Sequence, residues 1–190
     1  QDSEHRLEWL LKAKNHPELE SLPNNGKWLI YHNLGEVYEN LNVFDSAMYY
    51  GKLMDVSCRK LNIPIEVSYA NAIMGRVEKK RKNYTQALHY LRTAIGFSNK
   101  FGNPFLESEQ SVDLAGVFHV MNQPDSAIYY AEKALNGARK FKNLVLTISA
   151  AKLLAEIYET NYPDKSIAYL KIVNDRFIRI VCLVNLGQKL

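Results

Sequence analysis

Asp45-Ser46-Ala47-Met48-Tyr49-Tyr50 returns as Asp125-Ser126-Ala127-Ile128-Tyr129-Tyr130, and Tyr84-Thr85-Gln86-Ala87-Leu88-His89-Tyr90 stands midway between the two. Ala47, Ala87 and Ala127 are 40 residues apart, and Gly35, Gly75, Ala115 and Ala155 keep the same step. Ala168 follows Ala127 at 41, which reads as one extra residue in the last turn. Repetition at this period is the mark of an array whose units each bury an apolar face against a neighbour.

Within a unit the two small residues are 12 apart, or 13 from Ala155 to Ala168, so one falls on each of two antiparallel helices. A bulky side chain at either place would push the helix axes apart. Leu34, Met74, Leu114 and Leu154 precede the first small residue, and Tyr38, Phe118 and Tyr158 follow it by three, with Glu78 the exception. Turn signals lie between the helices at Asn40 and Asn42, Asn83, Asn122-Gln123-Pro124 and Asn161-Tyr162-Pro163. Pro64 and Pro104 open first helices, where the missing N–H costs nothing, and Asn143 holds the matching place in the fourth unit. First helices are expected over 27–41, 64–81, 104–121 and 144–160, and second helices over 45–61, 85–101, 125–141 and 164–180.

These residues resemble the tetratricopeptide repeat (TPR). Trp28, Tyr31, Leu34, Gly35, Tyr38 and Ala47 follow its pattern in the first unit, while Asn71 and Ser111 replace Tyr31 and Glu78 replaces Tyr38. The family unit is most often about 34 residues long, and its closing proline is replaced here by Arg59, Asn99 and Arg139. Both departures indicate a longer-helix variant. The resemblance implies an all-α fold, an α-α superhelix (TPR solenoid) of four antiparallel helix pairs with an N-terminal capping helix and an apolar C-terminal helix. The expected division is a cap and loop over 1–26, repeats over 27–63, 64–103, 104–143 and 144–176, and an extension over 177–190.

Composition narrows the function. With 47% hydrophobic residues the chain can bury a continuous core, yet no apolar run reaches the roughly 20 residues that span a bilayer. A formal charge of +4 and the absence of a recognised nucleic-acid motif argue against direct nucleic-acid binding. Cys58 and Cys182 form no metal or redox spacing, and five scattered histidines form none either. No HExxH, nucleophile elbow or Gly-rich phosphate loop occurs, so neither catalysis nor a cofactor is expected.

In the family, binding takes place on the concave surface of the first helices. The resemblance then implies Leu29, His32, Glu36 and Glu39 in repeat one, and Tyr69, Ala72, Arg76 and Lys79 in repeat two. It implies Glu109, Val112, Gly116 and His119 in repeat three, and Ser149, Lys152, Glu156 and Glu159 in repeat four. Lys80 belongs to the charge run Lys79-Lys80-Arg81-Lys82, a dipole-complementing helix end that could also anchor an acidic partner. The family's carboxylate clamp is not met, because His32 and Glu36 stand where its first-repeat Lys and Asn would lie. Tyr49-Tyr50 and Tyr129-Tyr130 read as packing between repeats.

At the N-terminal end, Leu7, Leu10 and Leu11 predict a helix over 4–14 with Ser3 as N-cap. The chain opens without Met, as after processing or removal of an export signal, so a cytoplasmic or an exported setting fits equally. At the other end Phe177, Ile180, Val181 and Val184 are too apolar to face water, and they mark an edge for a further helix or for pairing with a second copy. The leading expectation is a non-catalytic interaction module binding a protein or peptide, similar to repeat regions that precede output domains in bacterial regulators. A sensor for a small ligand or signal peptide, and an oligomerisation module working through the C-terminal edge, are the alternatives.

Overall fold

The computed structural model describes residues 2–18 and 27–187, with side chains through residue 175. Among the described residues there is no strand. The architecture is all-α, of the α-α superhelix class, and its helices follow one another in packed pairs. They are α1 (Asp2–Lys14), α2 (Lys27–Asn40), α3 (Phe44–Lys60), α4 (Pro64–Lys80) and α5 (Tyr84–Lys100), then α6 (Pro104–Val120), α7 (Pro124–Lys140), α8 (Leu144–Tyr158) and α9 (Pro163–Gly187). Contacts gather them into two units, Gln1–Asn103 and Pro104–Leu190.

One turn is used six times. Asn42, Asn62, Lys82, Gly102, Asn122 and Lys142 adopt the left-handed conformation, with φ between 55° and 65°, and they fall every 20 residues. At each, the amide of the left-handed residue and the one after it reach back to the helix just ended: Asn42 N–H donates to Glu39 O (3.1 Å) and Val43 N–H to Tyr38 O (2.9 Å). This double closure caps the orphan carbonyls of a helix end. Asparagine and glycine accept the left-handed region readily, whereas a lysine there costs more, about 1 kcal/mol. Proline or an aromatic residue then starts the next helix two residues on, except after Lys142, where Asn143 Oδ1 accepts from Leu146 N–H at 2.8 Å.

The core of the first unit is built from Ala47, Met54, Val67, Ala70, Ile73 and Val77, with Trp28, Tyr31 and Tyr38 packed against it. The second unit's core is richer in alanine, with Ala115, Ala131, Ala134, Ala150 and Ala151 around Leu154. The small residues do the work expected of them at helix crossings. A Cβ placed on Gly75 would lie 2.6 Å from Leu91 Cγ and 3.4 Å from Ala87 O.

The fourth hairpin corrects the sequence reading. The small residue against Ala155 is Ser166, 6% exposed, whose hydroxyl donates to Ala155 O at 2.9 Å, while Ala168 is exposed. Ser166 is the third residue after Pro163, as Ala127 is after Pro124, so the step from Ala127 is 39 and not 41. The turn does carry one extra residue, 159–162 against 121–123, but α8 is two residues shorter than α6, ends at Tyr158 and closes without a left-handed residue, so the small residue falls 11 positions after Ala155 and not 13.

Two further expectations are revised. The N-terminal helix starts at Asp2, which puts Ser3 inside it. The apolar C-terminal stretch is the continuation of α9, which runs unbroken from Pro163 because no glycine or proline interrupts it before Gly187. The loop expected over 16–26 lies largely outside the described residues, and so do the side chains of Phe177, Ile180, Val181 and Val184.

Candidate functional site

The first-helix face of the first unit is where the expected site residues come together. On α2, Leu29 is half exposed, His32 and Glu36 are partly covered, and Glu39 is only 5% exposed. From α4, Tyr69, Arg76, Lys79 and Lys80 approach the same face. The His32 ring lies 5.5 Å from the Tyr69 ring, tilted by 33°.

Two ionic clusters organise this surface. In the first, His32 Nε2 sits 3.2 Å from Glu36 Oε1, and Arg6 of α1 reaches Glu36 Oε2 at 3.5 Å while donating to Asn33 Oδ1 at 2.6 Å. The hydrogen bond from His32 holds the Glu36 carboxyl below its ordinary value, against the effect of burial and with help from the charges of His32, Arg76 and Arg6. Burial pushes nearby Glu66 the other way, opposed by His32. In the second cluster the buried Glu39 carboxylate accepts from Arg76 Nε at 2.9 Å and lies 3.2 Å from Lys80 Nζ, which also donates to Glu39 O at 3.0 Å. A carboxylate this buried requires such partners. Lys79, one residue before Lys80, is half-buried.

Sequence reasoning missed Arg6 and Asn33, because nothing in a local pattern says which side chain of a capping helix reaches a repeat. It also read Glu39 as an exposed groove charge. The run Lys79-Lys80-Arg81-Lys82 is split by the fold: Lys80 goes to Glu39, Lys82 forms the left-handed turn, and Arg81 bridges Glu78 (3.3 Å) and Asp45.

In the second unit, Val112 packs against the core cluster and His119 is half-buried. Lys152 and Glu156 face each other loosely at 3.9 Å on exposed turns of α8. The tyrosine pairs act inside hairpins: Tyr50 stacks on Tyr38 (5.6 Å, 1°) and Tyr130 on Phe118 (5.6 Å, 11°), with Tyr49 and Tyr129 edge-on and exposed.

Cys58 is fully buried, and burial, with the Glu66 and Asp55 carboxylates behind it, pushes its thiol up to about 12, far from a reactive thiolate. Among the described residues no group of three or more His, Cys, Asp or Glu could hold a metal ion. None of the described helices is long and apolar enough to cross a membrane.

No protein-family model and no curated protein matches the chain. Solved structures do. A crystal structure of MamA aligns over 92% of this chain and 88% of its own, at 19% identity with a TM-score of 0.60. The fold is a TPR-type helical repeat. A second MamA crystal structure aligns over 80% of this chain and 92% of its own, at 18% identity with a TM-score of 0.47. At these identities the likeness concerns the fold alone, which is a scaffold shape that many functions share.

Proposed function

We propose that this chain is a non-catalytic protein-interaction module, a longer-helix TPR variant with a unit of about 40 residues, that receives a peptide or partner segment on its first-helix face. The observation that supports this most is the preorganisation of that face in the first unit. Glu39 fixes Arg76 and Lys80, and Glu36 is fixed by His32 and Arg6, so the charged groups are held before any partner arrives. Ordering cost on binding is thereby reduced. Leu29 and Tyr69 add apolar surface beside them. In this reading the module is part of a larger signalling or regulatory protein, and its partner is a protein and not a nucleic acid.

The test is a crosslinking pull-down from source-cell lysate, comparing wild type with Leu29→Asp, Lys79→Glu. Neither side chain is buried, so the variant is expected to fold, which circular dichroism checks. One partner captured by wild type and reduced about tenfold by the variant is expected. Equal capture by both would remove the first-helix face from consideration.

A second reading, self-association through the C-terminal edge, is favoured by one observation. Ile167 and Leu170 of α9 are 51% and 50% exposed. Ile128 and Ala131, which hold the same places on α7, pack in the core cluster with Ala150, Ala151 and Leu154 of α8. Light scattering at about 100 µM should then show a dimer for wild type and a monomer for Ile167→Lys, Leu170→Lys; an association at this edge tight enough to matter has a Kd well below that concentration. A monomeric wild type would end this reading.

A further inference from the structure

The second helices of the first unit carry a feature that the first-helix reading does not use. A groove runs between α3 and α5 with α4 as its floor, and it holds two neighbouring clefts. One, of about 340 Å³, is lined by Lys52, Val56, Asn71 and Tyr90 among others; the next, of about 290 Å³, by Ile63, Phe97, Lys100 and Phe101. Arg59 lines both and stands between them.

Arg59 is built into place. Its Nε donates to Asp55 Oδ2 at 2.7 Å and a terminal nitrogen to Asp55 Oδ1 at 3.0 Å. Its guanidinium carbon lies 5.2 Å from the Phe97 ring centroid. Asn71, 3% exposed, donates to the same Asp55 Oδ1 at 2.8 Å and fixes the carboxylate from below. The Arg59 side chain nevertheless remains 49% exposed, and two of its five donors are spent on Asp55.

Asn71 also explains the space. It stands forty residues after Tyr31, whose ring fills the corresponding place in the first hairpin, 6.1 Å from Tyr50. The smaller amide leaves the cleft open and supplies the donor that locks Asp55.

The lining is charged in one direction. Lys52, Arg59 and Lys100 are cationic, and the lone carboxylate, Asp55, is occupied by Arg59 and Asn71. Part of the apolar lining is exposed, with Val56 at 64% and Phe101 at 43%. The two clefts are offset by five to nine residues along the helices, which at 1.5 Å per residue is about 10 Å. Three residues of chain in the extended polyproline II conformation cover that distance at roughly 3.1 Å each and complete one turn, which returns the side chain to the same face.

We propose that the groove between α3 and α5 is a second docking site, for an extended acidic segment of a partner protein that seats two apolar side chains three residues apart and presents carboxylates to Arg59 between them. Lys52 and Lys100 flank the segment at its two ends. Charge complementarity selects the acidic residues, and cleft spacing selects the apolar pair. The site is independent of the first-helix face.

The test uses the full chain and a fluorescein-labelled peptide, Gly-Ser-Leu-Glu-Glu-Leu-Ser-Gly, read by anisotropy. Saturable binding is expected, weakened about tenfold in the Lys52→Glu, Lys100→Glu variant, which alters only exposed side chains, and weakened similarly when the two glutamates become glutamines. Lys79→Glu, on the first-helix face, should leave binding unchanged. Lack of saturation at roughly 1 mM peptide, where even a contact worth about 4 kcal/mol would register, overturns the proposal. So does binding that ignores Lys52 and Lys100, or that Lys79→Glu abolishes.

Discussion

The second hairpin, α4 with α5, differs from the other three in what closes it. Hairpins one, three and four each stack an aromatic pair across their two helices: Tyr38 on Tyr50, Phe118 on Tyr130, and Tyr158 on Tyr169 at 5.8 Å and 2°. In the second, Glu78 takes the place of the first-helix ring. It is 7% exposed and accepts from Asn83 Nδ2 at 2.7 Å and from Arg81 at 3.3 Å, and Arg81 extends to Asp45 of α3. A ring stack binds two helices of one hairpin, whereas this carboxylate network ties α4 back to the hairpin before it. Cohesion within a repeat has been exchanged for cohesion between repeats.

The largest effect should come from deleting the second-helix ring. Tyr50→Ala is expected to cost about 3–4 kcal/mol, since Tyr50 is 6% exposed, stacked on Tyr38 and beside Tyr31. Tyr90→Ala, with no stacked partner at Glu78, should cost about 1–2 kcal/mol. Urea midpoints at constant slope measure both. Equal costs would mean that the stack contributes nothing beyond buried area, and the distinction between the hairpins would collapse.

A middle-sized effect tests the helix crossings. A Cβ on Gly75 meets Leu91 at 2.6 and 2.8 Å, whereas one on Gly35 meets Ile73 at an ordinary 3.5 Å. Gly75→Ala should therefore destabilise by about 1–2 kcal/mol through overpacking. Gly35→Ala should be neutral or stabilising by up to about 1 kcal/mol, because alanine is the better helix former. Thermal denaturation of the two variants sharpens the comparison: the second hairpin lacks a ring stack but has the closer crossing. A loss at Gly35 equal to that at Gly75 would contradict it.

Much of this was legible in the chain. Asn42, Asn62, Gly102 and Asn122 announce left-handed turns by residue type, and Gly35, Gly75 and the alanines announce crossings by their spacing. Lys82 and Lys142 announce nothing, because a lysine enters that conformation only when the flanking helices impose it. Ser166 was hidden by a nearby Ala168: matching by residue type favoured alanine, while the deciding fact was distance from Pro163. Glu39 and Glu78 were opaque for a different reason. Each looks like a solvated charge on its own helix, and each is buried by a cation or a neighbouring helix that local periodicity cannot see. In the Asp55, Arg59 and Asn71 cluster only the pair on α3, four residues apart, was open to local reading; the bond from Asn71, 16 residues from Asp55, comes from the approach of α4 to α3.

The smallest effect concerns the first-helix position where hairpin one has Glu36 and hairpin two has Arg76. The His32 hydrogen bond lowers the folded value of Glu36 relative to its ordinary 4.5. Its stabilisation is thus present above the unfolded value and is lost as pH falls through the folded one. Glu66 has the opposite sign: burial raises it, so its ionisation penalises the fold above the unfolded value and the penalty disappears on acidification. Glu36→Gln should lower the melting temperature at pH 7 by the equivalent of a few tenths of a kcal/mol, the size of a partly exposed pair, and the loss should shrink on acidification toward pH 3. Glu66→Gln should raise it slightly at pH 7 and lose that advantage near pH 3. If Glu36→Gln costs the same at both pH values, the contact with His32 acts through packing and not charge, and the difference between a glutamate at 36 and an arginine at 76 would carry no electrostatic meaning for the face they share.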